Sequence, residues 1–214
     1  MVAAEGANTR DTRIPGQQPP PQQRRHRRRP AGLRHLVEAN TRVDNTGASV
    51  ETAGVRTVIR SSTMDSTWTG AFADYGVRVA PGARDTRVEA NAIARFAFLG
   101  IEDIGRGSVT ALNVLDGQLD PDTWTGIFGG ITVQAGARQA QVQGNTVRRL
   151  AGGGITVAGD DGLDADSPST TITANVANDN ADYGVEAVPG VTDGGGNRAS
   201  GNGQPAQCLG VVCA

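Results

Sequence analysis

Four carboxylates fall within seven residues of one segment, Gly159-Asp160-Asp161-Gly162-Leu163-Asp164-Ala165-Asp166-Ser167-Pro168. Asp160, Asp161, Asp164 and Asp166 are hard oxygen donors that could hold a calcium ion or bracket a glycosidic bond. Their spacing departs from the D-x-D-x-D-G calcium loop, and a solvated acidic loop is the other reading. Arginines recur at matching places, Arg84 with Arg138 and Arg95 with Arg149; either pair could line an outer groove facing a polyanion or simply occupy turns in solvent. Trp68 and Trp124 each sit in Thr-Trp-Thr-Gly-x-Phe, where an indole can stack on a sugar ring or cover the edge of a strand layer. Cys208 and Cys213 are the two cysteines, at a spacing that permits a small disulfide loop. Half of a zinc site is the alternative, but the two histidines, His26 and His35, lie in the basic N-terminal segment. No Ser-His-Asp set can be assembled from residues 41–214, and the Gly runs at 152–154 and 194–196 open no helix that would cradle phosphate.

The elements that must position these groups are announced by repetition. Val77-Arg78-Val79, Gly82-Ala83-Arg84, Val88, Asn91, Gly100-Ile101 and Gly105 return 54 positions later as Ile131-Thr132-Val133, Gly136-Ala137-Arg138, Val142, Asn145, Gly154-Ile155 and Gly159. Ile172, Asn175 and Gly184-Val185 repeat the second half once more. Fixed-spacing self-similarity marks a solenoid. Short alternating segments punctuated by Gly, Asn and Asp predict strands at Thr57–Ile59, Val77–Val79, Thr86–Val88, Ile131–Val133, Gln141–Gln143, Gly154–Val157, Thr171–Thr173 and Gly184–Glu186. A step of 24 residues, from Val77 to Ile101 and from Ile131 to Ile155, with three short strands per turn, is that of an all-β, single-stranded right-handed parallel β-helix of about six or seven rungs. Asn91, Asn113, Asn145 and Asn175 follow strands; Asn tolerates the left-handed backbone region, and its amide can bond to the amide one rung away. These four are read as a structural ladder. The rung after Ile155 is longer by the acidic segment, and rung insertions become loops on one face.

Bulk composition sets the limits. At 214 residues the chain can form one good-sized core. Its 30 glycines and 4% aromatics suit short strands and tight turns rather than packed helices. No apolar run is long enough for a transmembrane helix. Residues 1–34 hold eight Arg against Glu5 and Asp11, whereas residues 35–214 carry 12 Arg and 20 acids, an acidic body unsuited to general nucleic-acid binding. Residues 1–40 are expected to be a disordered Pro/Gln/Arg-rich leader, with a short capping helix near Leu33, Leu36 and Val37, and residues 41–214 the β-helix. Met1 to Arg13 lacks the apolar core of a secretory signal, so either export uses an atypical leader or the natural start lies elsewhere.

Val142-Gln-Gly-Asn-Thr-Val147 followed by Gly153-Gly-Ile-Thr-Val157 resembles the right-handed parallel β-helix repeat proteins of the pectate-lyase-like superfamily. The stretch from Val191 through Gly194-Gly195-Gly196-Asn197 to Cys208 looks like the C-terminal end of secreted bacterial β-helix proteins. The resemblance covers about residues 41–214 and implies a secreted protein. It implies no activity by itself, because the fold hosts several chemistries. The Gly-His-Gly and Arg-x-Lys elements of the polygalacturonase-type hydrolases are missing, and a lyase or epimerase would need a base that the chain does not announce. The expected function is therefore a secreted repeat protein presenting an extended surface, with Trp68, Trp124, Arg84 and Arg138 as ligand-binding candidates, to a polysaccharide or a cell-surface ligand. A lyase, hydrolase or epimerase acting on acidic polysaccharide, with calcium at the acidic segment, or a fragment of such an enzyme, is the alternative.

Overall fold

The computed structural model describes residues 2–4, 13–15, 35–43, 47–65, 75–95, 98–117, 129–150, 153–157 and 167–214. Among them every regular element is a strand, and no helix is long and apolar enough to cross a membrane. The strands form three parallel sheets, and from Leu36 onward the chain visits them in the repeating order B, C, A. Sheet A stacks Val2–Ala4, Ala48–Thr52, Tyr75–Val79, Leu99–Asp103, Gly129–Val133, Gly153–Val157, Val185–Ala187 and Cys208–Leu209. Sheet B stacks Arg13–Pro15, Leu36–Glu38, Val58–Arg60, Arg87–Glu89, Val109–Ala111, Gln141–Gln143, Thr171–Thr173 and Thr192–Asp193. Sheet C stacks Thr41–Val43, Thr63–Asp65, Ala92–Ala94, Val114–Asp116, Thr146–Arg148, Val176–Asn178 and Arg198–Ser200. Each strand thus pairs with its counterpart one repeat later, an arrangement compatible with a solenoid.

One hydrophobic cluster joins the three sheets. Val77, Ile101 and Ile131 come from sheet A, Ile59, Val88 and Val142 from B, and Met64, Ile93 and Leu115 from C, all at most 1% exposed. Burying each such side chain contributes about 1.5–3 kcal/mol. Glycine recurs beside these residues in sheet A because that layer runs close to its neighbours. A Cβ at Gly76 would meet Gly100 O at 2.5 Å and Ile93 Cγ2 at 2.7 Å. Three strands per turn were expected, but those of sheet C were not placed, because strands such as Ala92–Ala94 and Val114–Asp116 set apolar residues outward as well as inward.

The described parts of residues 1–40 include three strands, and a helix near Leu36 is not among them. Leu36–Glu38, assigned to a capping helix, is a strand in register with Val58–Arg60, and Val37 is buried in the core. The helical spacing of Leu33, Leu36 and Val37 misled because the half-buried Leu36 sits beside the inward Val37, and two adjacent apolar residues imitate a helical stripe. Val2–Ala4 and Arg13–Pro15 pair in parallel with Ala48–Thr52 and Leu36–Glu38. His35, read as part of a basic leader, is 2% exposed, with its carbonyl accepting from Val58 N at 2.7 Å.

The asparagines sit one residue after the left-handed position rather than in it. Ala90, Leu112, Gly144 and Ala174 have φ of 51–62°, each immediately before Asn91, Asn113, Asn145 and Asn175. The Asn side chain does the other half of the work. Asn91 donates through backbone N and Nδ2 to Asn113 Oδ1 at 3.0 Å, and the same pair of bonds joins Asn113 to Asn145 and Asn145 to Asn175. Asn197 extends the ladder past Asn175, and Ser62 and Asn40 extend it the other way. A second, shorter ladder runs from Asn180 through Asn202 to Gln207.

Candidate functional site

The connections from sheet A to sheet B carry Arg84 and Arg138. In the longer of these connections, Pro81-Gly82 and Ala135-Gly136 form tight turns, with Gly82 at φ 92° and Gly136 at φ 88°, a region that favours glycine. Ala83 N donates to Ala80 O, and Ala137 N to Gln134 O, each at 3.1 Å, which closes the turns. The alanine that follows is buried against the core, and the arginine after it is exposed. This is the physical content of the repeated Gly-Ala-Arg.

The repeat between them reaches the same point without that turn. Asp103, 1% exposed, accepts Gly105 N at 2.8 Å and Ser108 Oγ at 2.9 Å, so its carboxylate replaces the inserted turn. Thr52 does the same one repeat before Val79, accepting Gly54 N at 3.1 Å and bonding Thr57 Oγ1 at 2.9 Å. The shortcut delivers Arg106 into line: Arg84 pairs with Arg106, and Arg106 with Arg138, in parallel register. Three arginines therefore stand in consecutive repeats, about 4.8 Å apart along the stack. All three are exposed. Their main chains are held on both sides: Arg106 N donates to Ala83 O at 3.0 Å and Arg138 N to Gly105 O at 3.0 Å, while Arg106 O accepts from Asp85 N and Arg138 O from Gly107 N. Arg106 was missed by the repeat frame because its local sequence, Ile-Gly-Arg, lacks the preceding turn.

Most other described arginines answer a neighbouring acid. Arg60 bonds Glu38, Arg87 bonds Glu89, and Arg78 lies between Glu102 at 2.6 Å and Glu51 at 3.1 Å. Arg95 reaches back to Asp65 through Nε at 2.7 Å, and Arg149 to Asp116 through Nε at 2.8 Å, with Arg148 on the same carboxylate. The second recurring pair is thus tied within the molecule. Arg84, Arg106 and Arg138 have no ion-pair partner among the described residues. Asp85, exposed beside them, has its Oδ1 over Gly107 instead.

The outward row of sheet A is charged but largely covered. Glu51, Arg78, Glu102 and Thr132 alternate with core residues, yet Glu102 is 6% and Thr132 7% exposed. Arg78 lies over the Tyr75 ring at 5.6 Å, and Phe98 meets that ring edge-on at 5.5 Å. Burial, with the Glu102 carboxylate, pushes the Tyr75 phenol up. The Glu102 hydrogen bond holds Arg78 firmly protonated. Farther along the row, burial raises Glu186, with Asp182 adding to it.

Trp68, Trp124 and the acidic quartet Asp160, Asp161, Asp164 and Asp166 lie outside the described residues. The acidic segment connects Gly153–Val157 to Thr171–Thr173, so it belongs to the same series of A-to-B connections as the arginines. Among the described residues no group of three or more His, Cys, Asp or Glu side chains could hold a metal ion. Cys208 and Cys213 form a disulfide with Cα atoms 6.2 Å apart. No protein-family model, curated protein or solved structure matches the chain.

Proposed function

We propose that the three sheets are the faces of a right-handed parallel β-helix, and that the protein is a secreted repeat protein that holds a polysaccharide or another extended surface ligand along its outside. The observation that carries this reading is the line Arg84–Arg106–Arg138, exposed, in register and on hydrogen-bonded backbone. Beside it, the outer rows of sheet B present Gln141 and Gln143, both exposed. A strand step is close to the length of one sugar unit, so a linear glycan lying along the stack would meet an equivalent group at each repeat. The disulfide supports an oxidising compartment, and hence secretion.

The full chain, immobilised and offered neutral and anionic oligosaccharides of increasing length, is expected to bind one class with affinity rising until the ligand spans the arginine repeats. Affinity independent of length, or no binding at all, overturns the reading. Release of unsaturated uronate in the presence of calcium, lost in Asp161→Ala, would replace it with the enzymatic alternative.

A further inference from the structure

Sheets A and B reach one strand further than sheet C at the N-terminal end. Val2–Ala4 lies beyond Ala48–Thr52 and Arg13–Pro15 beyond Leu36–Glu38, whereas among the described residues nothing pairs with the outer edge of Thr41–Val43. We infer that this edge docks an extended peptide segment of another protein, which adds as a further parallel strand of sheet C and carries a carboxylate beside Arg42. Strand addition at an exposed sheet edge draws affinity from backbone hydrogen bonds and specificity from the side chains that meet.

Three groups on the edge lack the partner that their counterparts have. Each later strand of sheet C donates its first N–H to the carbonyl of the ladder residue one repeat before: Thr63 to Asn40, Ala92 to Ser62, Val114 to Asn91 and Thr146 to Asn113, at 2.8–2.9 Å. Thr41, exposed, has no such acceptor among the described residues. The Oδ1 of Asn113, Asn145 and Asn175 each accepts the N and Nδ2 of the member before. Asn40 Oδ1 accepts nothing among the described residues, although Asn40 Nδ2 donates to Glu38 O and its N to Ser62 Oγ. Arg42 is the third group. Register places it in the inward column of Met64, Ile93 and Leu115, all at most 1% exposed. Its Nε is buried with no hydrogen-bond partner, and the carboxylates of the flanking strands are engaged, Glu38 with Arg60 and Asp65 with Arg95. His35, 2% exposed in the same repeat, likewise leaves both ring nitrogens unpartnered.

An unpaired charge at an inward position is costly, and an acid one strand away, at about 4.8 Å, relieves it. The adjoining part of this chain is the wrong chemistry to supply it. Residues 16–34, which lead from Arg13–Pro15 to the next strand of sheet B, contain six Arg, four Pro and no Asp or Glu. Proline has no N–H for Asn40 Oδ1, and arginine repels Arg42. What fits is a segment with one residue whose N–H meets Asn40 Oδ1 and whose carbonyl takes the Thr41 N–H, followed two positions on by an inward Asp or Glu.

The probe is a synthetic peptide with the sequence of residues 143–149, which holds a ladder asparagine and a strand of sheet C, altered by Val147→Glu; the unaltered sequence is the control. Titrated against the full chain by fluorescence anisotropy, the altered peptide is expected to bind about tenfold more tightly than the control, an advantage that shrinks in high salt. Arg42→Met, which copies Met64, is expected to reverse the preference. Thr41→Pro removes an N–H that bonds nothing among the described residues; it is expected to abolish binding of both peptides while leaving the urea midpoint unchanged. Equal binding of the two peptides, an unchanged preference in Arg42→Met, full binding by Thr41→Pro, or no binding at all overturns the proposal. So does a dimer of the peptide-free chain in sedimentation that Thr41→Pro dissociates, since the edge would then belong to a second copy.

Discussion

Asp103 shows how one residue can decide the geometry of a repeat. Its carboxylate, buried at the corner where Thr52 stands in an earlier repeat, substitutes for an inserted turn and brings Arg106 into line. Burial raises its pKa, and the hydrogen bonds from Ser108 and Gly105 oppose that shift. A carboxyl whose folded pKa exceeds its unfolded one binds more protons when folded. Stability therefore falls as pH rises from the ordinary Asp range through the raised value, and stays lower above it. Asp103→Thr, which copies Thr52, should be more stable than the parent at pH 7 by about 1 kcal/mol and should lose that acid-side slope. Urea unfolding at pH 4 and pH 7 measures both. A variant destabilised more at pH 7 than at pH 4 would show that the ionised carboxylate is favoured in the core.

At the level of elements, strands of three residues contribute few contacts each, and the turns between sheets B and C are joined by the asparagine ladder. The members are not equal. Asn145 Oδ1 accepts both the backbone N and the Nδ2 of Asn113, while Asn145 Nδ2 donates to Thr110 O at 2.9 Å and to Asn175 Oδ1 at 3.0 Å. Asn91 Nδ2 donates in the same way, to Ile59 O at 3.1 Å and Asn113 Oδ1 at 3.0 Å, but its Oδ1 accepts Ser62 N alone among the described residues. Removing a partner from a buried donor costs about 1–3 kcal/mol. Asn145→Ala should thus cost about 3–4 kcal/mol and Asn91→Ala about 1 kcal/mol less, the worth of the one bond by which they differ, as measured by denaturant midpoints. Equal losses at the two positions would mean that the amide ladder is not what separates them.

For the whole molecule, each repeat touches only its neighbours, so the ends set where opening begins. The C-terminal end is closed by the tail. Cys208–Leu209 adds to sheet A, Cys213 bridges to Asn197, and Ala214 N donates to Asn197 O at 3.0 Å. Asp193 accepts Val212 N and Gly195 N, each at 2.8 Å, and those two bonds hold its carboxyl below the usual range. A lowered folded pKa gives stability that is present above the ordinary Asp range and lost as pH falls through the lowered value. Hydrogen exchange should therefore show Val212 losing protection in acid, well before Val147 in the core. Cys208→Ser/Cys213→Ser should do the same at neutral pH. Val212 as protected as Val147 under both treatments would rule out the tail as the weak end.

Local chemistry was legible in the chain itself. The recurrence of Gly-Ala-Arg reflects a turn that needs positive φ, an inward methyl and an outward cation, and all three requirements lie within a few residues. The parallel, stacked all-β character followed from repeated strands at fixed offsets, and strands such as Gln141–Gln143 and Thr171–Thr173 fall where alternation placed them. Strands such as Ala92–Ala94 and Val114–Asp116 in sheet C, and Leu36–Glu38, were not legible, because they set apolar residues outward beside the inward one and so lack the polar–apolar alternation; the buried His35 carries no apolar signal at all. Arg106 was hidden for another reason. Repeats of different length reach the same register by different corners, a Pro-Gly turn in one and a buried carboxylate in the next. Which side chains stand in line is settled by interstrand hydrogen bonds between residues 22 to 32 apart, and only the tertiary structure holds that information.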